Sequence, residues 1–107
     1  MPLSRNYKET INERIRTEPE FASALLDEAL TLLLNGEPDT ARFILRDLVN
    51  ATIGFETLAD ETTKPSKSLH RMLSAKANPT MNNLTAILKA LRQKLNINFE
   101  VRTVHCQ

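Results

Sequence analysis

Residues 55–74 read FETLADETTKPSKSLHRMLS, and they are the most informative part of the chain about its fold. Its apolar spacing predicts two short helices joined by a tight turn. Ala59 is small enough for the second helix to cross closely above the first, and Leu69 and Met72 anchor that second helix to a core. Pro65 suits the first position of a helix. This arrangement is that of a helix-turn-helix.

The second helix of this pair leaves hydrogen-bonding side chains on its outward face, two of them cationic. They are Ser66, Lys67, His70 and Arg71. A helix that enters the DNA major groove needs such groups on its exposed face. We expect base contacts from this face, with Arg71 able to make a bidentate contact to guanine and His70 at the rim. The alternative interpretation is an αα-hairpin with a solvated basic face.

Further polar residues flank the second helix and are candidates for contacts to DNA phosphates. They are Lys64, Ser74, Lys76, Asn78 and Thr80. For Asn78 a second explanation is available, because Asn-Pro before a helix is a common turn.

The charge distribution supports a phosphate-contacting surface. The net charge is only +1, but residues 1–62 carry six basic and twelve acidic side chains, a balance of −6. Residues 63–107 carry eight basic side chains and one acidic side chain, a balance of +7. A basic half on a near-neutral chain is typical of a nucleic-acid interface. We expect the acidic half, residues 1–62, to face something other than nucleic acid.

Length and composition predict one small, mainly helical domain. The chain has 107 residues, 41% of them hydrophobic, with two Gly and no Trp. We divide it into an N-terminal helical extension (1–37), a helix-turn-helix DNA-binding domain (38–94) and a C-terminal strand and tail (95–107). The fold class is therefore all-α with five to six short helices, plus one C-terminal β-strand.

Residues that start and stop helices are distributed along the whole chain. Pro19, Pro38 and Thr80 mark helix starts, and Gly36 marks a helix end. The first helix carries an apolar stripe with a spacing of four residues, formed by Tyr7, Ile11 and Ile15.

The segment LNINFEVRTV at residues 95–104 breaks the helical pattern. Its apolar residues alternate with polar ones and are Leu95, Ile97, Phe99 and Val101. The two-residue period predicts a half-buried strand that has no partner strand in the chain. The most economical partner is the same strand of a second copy, antiparallel across a two-fold axis. A sheet edge in a different protein and a disordered tail are the alternatives.

Several functional classes are not supported by the sequence. The single cysteine, Cys106, allows no internal disulfide or metal-ligand cluster, so a reducing cytoplasm is expected. The charged residues 1–16 do not form a signal peptide, and no apolar run approaches the roughly 20 residues of a membrane span. No paired acid and base, activated nucleophile or glycine-rich phosphate loop is present. We therefore expect no catalytic residue and no cofactor.

Residues 50–91, NATIGFETLADETTKPSKSLHRMLSAKANPTMNNLTAILKAL, resemble the Cro/CI-type helix-turn-helix of HigA-type antitoxins and related addiction-module antidote proteins. The string SLHRMLSAKANPT leading into NNLTAILKAL is the most specific part. The resemblance covers about residues 39–95. It implies a homodimeric repressor of its own operon, and a RelE/HigB-like toxin partner that cleaves mRNA and is held inactive by the antitoxin.

The chain departs from the pattern of this family at three positions. Many relatives have Gly where Thr63 stands, an apolar residue at Lys64 and Tyr at His70. Thr63 can occupy the turn only if the turn avoids a positive φ or accepts strain. The presence of His70 in place of Tyr affects which DNA bases the second helix is expected to prefer.

Other functions remain open from the sequence. One is a stand-alone regulator of the phage-repressor kind without a toxin, and another is a helical module that binds an acidic protein. If a toxin is bound, complementary charge favours residues 1–62 as its contact surface, since RNA-cleaving toxins are basic. An exposed strand edge would favour residues 95–107 instead.

Overall fold

A computed structural model describes residues 3–107, with side chains from residue 9 onwards. Within this range the chain forms six α-helices, which are α1 (Leu3–Thr17), α2 (Pro19–Leu34), α3 (Pro38–Ala51), α4 (Phe55–Thr62), α5 (Ser66–Met72) and α6 (Met81–Leu95). The predicted all-α class is confirmed. The side chain of Tyr7, assigned to the apolar stripe of α1, lies outside the described residues.

The helices start close to the predicted residues. Pro19 and Pro38 are the first residues of α2 and α3, where the missing N–H would have had no helical partner. Thr80 caps α6, since its Oγ1 accepts a hydrogen bond from the Asn83 N–H at 3.1 Å. Pro65 precedes α5 and is not part of it, so that helix begins one residue later than predicted.

Three helices end in the same hydrogen-bonded cap. Gly36, Thr63 and Asn96 follow α2, α4 and α6 with left-handed φ angles of 93°, 53° and 56°. The next N–H in each case bonds back into the helix, from Glu37 to Leu32 O (2.8 Å), from Lys64 to Ala59 O (3.2 Å) and from Ile97 to Arg92 O (3.1 Å). Gly and Asn tolerate this conformation, whereas the β-branched Thr63 is strained in it. The turn therefore accepts strain at Thr63.

A single apolar core joins the helices. α2 packs extensively against α3, α1 contacts both, and α4 packs against α5 and α6. The largest fully buried side chains of this core include Leu26, Leu45, Leu48, Leu58, Leu69, Leu73, Ile87 and Leu91. Leu69 is thus the predicted core anchor of α5, and Met72 and Ala59 pack partly buried against the same core.

The C-terminal segment is not a strand in the single chain. Over the described residues 3–107 no β-strand is formed, and Leu95 is the last residue of α6. A strand is defined by hydrogen bonds to a neighbouring strand, and no other segment of the described chain supplies them. The predicted strand over residues 95–101 is therefore not observed.

The start of this segment nevertheless lies against the helices. Ile97 and Phe99 are half-buried and pack on the core. The Arg92 guanidinium donates a hydrogen bond to Asn98 Oδ1 at 3.1 Å, which fixes the chain between them. Val101, by contrast, is 72% exposed. The predicted alternation is retained as far as Phe99, and Val101 is left uncovered.

Replacing Thr63 with Gly should stabilise the protein. Relief of the left-handed strain exceeds the extra unfolded-state entropy of Gly by about 0.5–1 kcal/mol. Urea unfolding followed by circular dichroism measures the difference. Thr62→Gly is the matched control and should destabilise, because Thr62 is helical and its hydroxyl donates to the Leu58 carbonyl. Destabilisation by both variants would contradict the strain at Thr63.

Candidate nucleic-acid interface

Helix α5 is held in place by the core beneath it. It has seven residues, too few for a stable isolated helix in water. Leu69 and Leu73 are buried under it, and α4 packs along it. The outer face is therefore presented in a fixed orientation.

Two exposed cations stand on that outer face. Lys67 and Arg71 are one helical turn apart, and both are exposed. Among the described residues, neither side chain has a carboxylate within salt-bridge distance. Ser66 is half-buried at the start of the helix. Lys67 and Arg71 therefore have all their donors available to a ligand.

His70 has a more defined environment than the sequence indicated. Its ring stacks on Phe55, the first residue of α4, with the ring centroids 3.8 Å apart and the planes at 19°. This contact ties α5 to the start of α4 and fixes the orientation of the imidazole. His70 is exposed but held against its own protein, which suits a position at the rim.

A tight turn follows α5 and carries Lys76. The Ser74 carbonyl accepts a hydrogen bond from the Ala77 N–H at 3.3 Å, and Lys76 has a positive φ of 62°. The Ser74 hydroxyl donates to the Arg71 carbonyl at 2.7 Å. The hydroxyl hydrogen of Ser74 is thus used to end the helix, while the exposed Lys76 side chain is free to extend.

Arg42 of α3 anchors this turn and was missed by the sequence analysis. It is only 7% exposed. Its Nε donates to the Ser74 carbonyl at 3.2 Å, and a terminal guanidinium nitrogen donates to Asp39 Oδ1 at 2.5 Å. The sequence did contain a signal for the burial of Arg42, because this residue shares the inward face of α3 with Leu45 and Val49.

One groove, here called the loop groove, lies between α5 and the start of α6. It is lined by polar residues that include Arg71, Ser74, Lys76, Asn78 and Thr80. These are five of the nine predicted DNA-contacting residues, and the structure brings them together. Thr80 Oγ1 also serves as the cap of α6.

The other predicted DNA-contacting residues lie outside the loop groove. They are Lys64, Ser66, Lys67 and His70. Lys64 and Ser66 are half-buried where the turn between α4 and α5 meets the helix, and Lys67 and His70 are exposed on α5. The predicted residues thus form two groups, and Arg71 belongs to the α5 face as well as to the groove.

The described residues show neither a metal centre nor a membrane span. No three His, Cys, Asp or Glu side chains in this part of the chain cluster as metal ligands would. None of its helices is both long and apolar enough to cross a bilayer.

Comparison of the chain with protein-family models, with curated proteins and with solved structures gave no match. The resemblance to HigA-type antitoxins therefore rests on the motifs of residues 50–91 and stays a prediction.

Replacing Arg42 with Met should destabilise the fold by about 1–2 kcal/mol, because the Ser74 carbonyl loses a charged donor. The methionine preserves most of the apolar stem. Arg46→Met on the same helix is the matched control, since Arg46 is exposed, and its effect should stay within about 0.5 kcal/mol. Urea unfolding measures the stability of both variants. Equal unfolding midpoints for Arg42→Met and Arg46→Met would show that the Arg42 contacts do not stabilise the fold.

Proposed function

We propose that this protein is a sequence-specific DNA-binding protein in which α4 and α5 form a helix-turn-helix and α5 enters the major groove. One observation carries the proposal. α5 is anchored by buried leucines, yet its outer face presents Lys67 and Arg71 with no acidic partner among the described residues. Lys76 and Asn78 extend this basic and polar surface along the loop groove.

The dimensions and chemistry of α5 suit this role. An α-helix with its side chains is about 10–12 Å in diameter, which fits the major groove of about 12 Å width. Arg71 contacts a guanine in bidentate fashion, worth about 1–3 kcal/mol of discrimination, and Lys67 reaches a guanine or a phosphate. Lys64, Lys76, Asn78 and Thr80 contribute phosphate contacts that set the register of the protein on the duplex.

The test is fluorescence anisotropy of the full chain on duplex DNA from its own upstream region, against a scrambled duplex, over a series of salt concentrations. We expect preferential binding to the upstream duplex that weakens steeply with salt. Arg71→Ala should weaken operator binding by at least about tenfold while changing scrambled-duplex binding much less.

Arg16→Ala removes the same charge from an exposed site on α1 and serves as the control. Equal losses on both duplexes for Arg71→Ala would contradict base recognition by this residue. No binding of the wild type to either duplex at low salt would contradict the proposed function. A protein-interaction module would then be the better interpretation.

We further propose that the protein acts as a homodimer through the C-terminal segment. Within residues 98–107, no backbone group is hydrogen-bonded to another described part of the backbone, and Val101 is exposed. Pairing with the same segment of a second copy satisfies these groups and extends the apolar row of Ile97 and Phe99. Leu95 supports the row from the end of α6. Two α5 helices about 34 Å apart would then bind a palindromic operator.

Val101→Asp should convert the dimer to a monomer and lower operator affinity by about a hundredfold, since the two DNA contacts become independent. Light scattering coupled to gel filtration measures the mass. Val104→Asp is a stringent control, because Val104 (78% exposed) and Val101 (72% exposed) are similarly uncovered in the single chain, but Val104 falls on the opposite side of an alternating strand. Identical behaviour of the two variants would exclude the proposed pairing.

The resemblance to HigA-type antitoxins extends the proposal. We propose an antitoxin of a type II toxin–antitoxin module that represses its own operon in the cytoplasm and neutralises a RelE-like mRNA-cleaving toxin. Exposed acidic side chains on α2 and α4 offer a complementary surface to a basic toxin. They are Glu20, Asp27, Glu28, Glu56, Asp60 and Glu61.

The alternative is a stand-alone phage-repressor-like regulator with the same DNA chemistry. The antitoxin and the stand-alone regulator can be distinguished by an expression experiment. A small toxin-sized reading frame beside the gene is expressed with and without this protein. Growth arrest that the protein reverses, together with co-purification of the two chains, supports the antitoxin. Operator binding without either result supports the stand-alone regulator.

A further inference from the structure

A second groove, here called the α3 groove, lies at the other side of the end of α5. Side chains from several helices line it, among them Asn12, Arg46, Asp47, Asn50, His70 and Arg71. Apart from Phe55, which stacks under His70, its lining is polar. The sequence analysis assigned none of the α1 and α3 residues in this groove to the DNA interface.

The charges in the α3 groove are not balanced by the protein. Arg46 and Arg71 are both exposed, and among the described residues no carboxylate lies within 4.0 Å of either guanidinium. Asp47 is the one carboxylate among the described residues that line the groove, and it is half-buried. Two guanidinium groups against one carboxylate leave a surplus of positive charge among the described residues that line the groove. The groove is therefore suited to an anion from outside the protein.

We propose that Arg46 and Asn50 of α3 bind the phosphate backbone of the same duplex that α5 reads. This inference rests on the proposed DNA-binding function. Arg71 borders both grooves, so a duplex in contact with Arg71 has its backbone within reach of the α3 groove. Arg46 and Asn50 are one helical turn apart and are both exposed. Guanidinium and amide groups are common donors to phosphate oxygens.

The consequence is that the DNA interface includes part of the acidic half of the chain. Residues 1–62 have a net charge of −6, yet Arg46 and Asn50 belong to them. Lys76 on one side of α5 and Arg46 on the other contact phosphates from two directions. Such contacts hold α5 in the DNA major groove more firmly than contacts from one side alone.

The experiment compares Arg46→Ala with wild type on the operator duplex and on the scrambled duplex over a salt series. A phosphate contact carries no sequence information, so affinity for both duplexes should fall by the same factor, roughly tenfold. The slope of log affinity against log salt should decrease by about one for each protomer bound. Arg46→Lys keeps the charge and should retain most of the slope.

Arg16→Ala is the control, because it removes one exposed arginine that does not line the α3 groove. Thermal unfolding of each variant confirms that it is folded. A salt slope for Arg46→Ala equal to that of Arg16→Ala overturns the inference. A loss confined to the operator duplex overturns it as well, because it indicates a base contact. Failure of wild-type protein to bind any duplex removes the proposed function itself, which is a separate result.

Discussion

Burial of Leu69 and Leu73 stabilises a helix that is too short to exist alone. Fixing the first turn of a helix costs more than its hydrogen bonds return, and seven residues do not recover that cost. Each fully buried leucine contributes about 2 kcal/mol, and both belong to the same core cluster as Leu58 of α4 and Ile87 and Leu91 of α6. The orientation of Lys67 and Arg71 follows from this burial, because both belong to the opposite face of the same two turns.

The surroundings of α5 are fixed by polar contacts that start from other helices. Arg42 reaches from α3 to the Ser74 carbonyl and so sets the position of the turn that carries Lys76. The Phe55–His70 stack fixes α5 itself against the start of α4. A rigid frame of this kind matters for recognition, because donors that are already oriented lose little entropy on binding.

The sequence predicted features that depend on local patterns. The helix starts at Pro19, Pro38 and Thr80, the left-handed stop at Gly36 and the core position of Leu69 all follow from neighbours within a few residues. Such signals act through the backbone geometry of one helix or one turn, so the amino-acid order is sufficient to predict them.

Contacts between distant residues could not be predicted in this way. Arg42 and Ser74 are 32 positions apart, and only the packing of α3 beside the end of α5 brings them together. The α3 groove likewise joins residues from separate helices. The C-terminal alternation predicted a strand, but a strand also requires a partner, and none forms over the described residues. Leu95 was assigned to the strand but is the last residue of α6. Its apolar side chain fits the end of that helix as well as the alternating pattern.

The order of the helices along the chain also bears on how the molecule assembles. α1, α2 and α3 pack on one another and can form as soon as they are synthesised, because helical units with local contacts fold in about microseconds to milliseconds. The core beneath α5 also needs Ile87 and Leu91 of α6. At about 5–20 residues per second, α6 takes on the order of a second to emerge. The packing of α5 is therefore completed only after α6 has been synthesised.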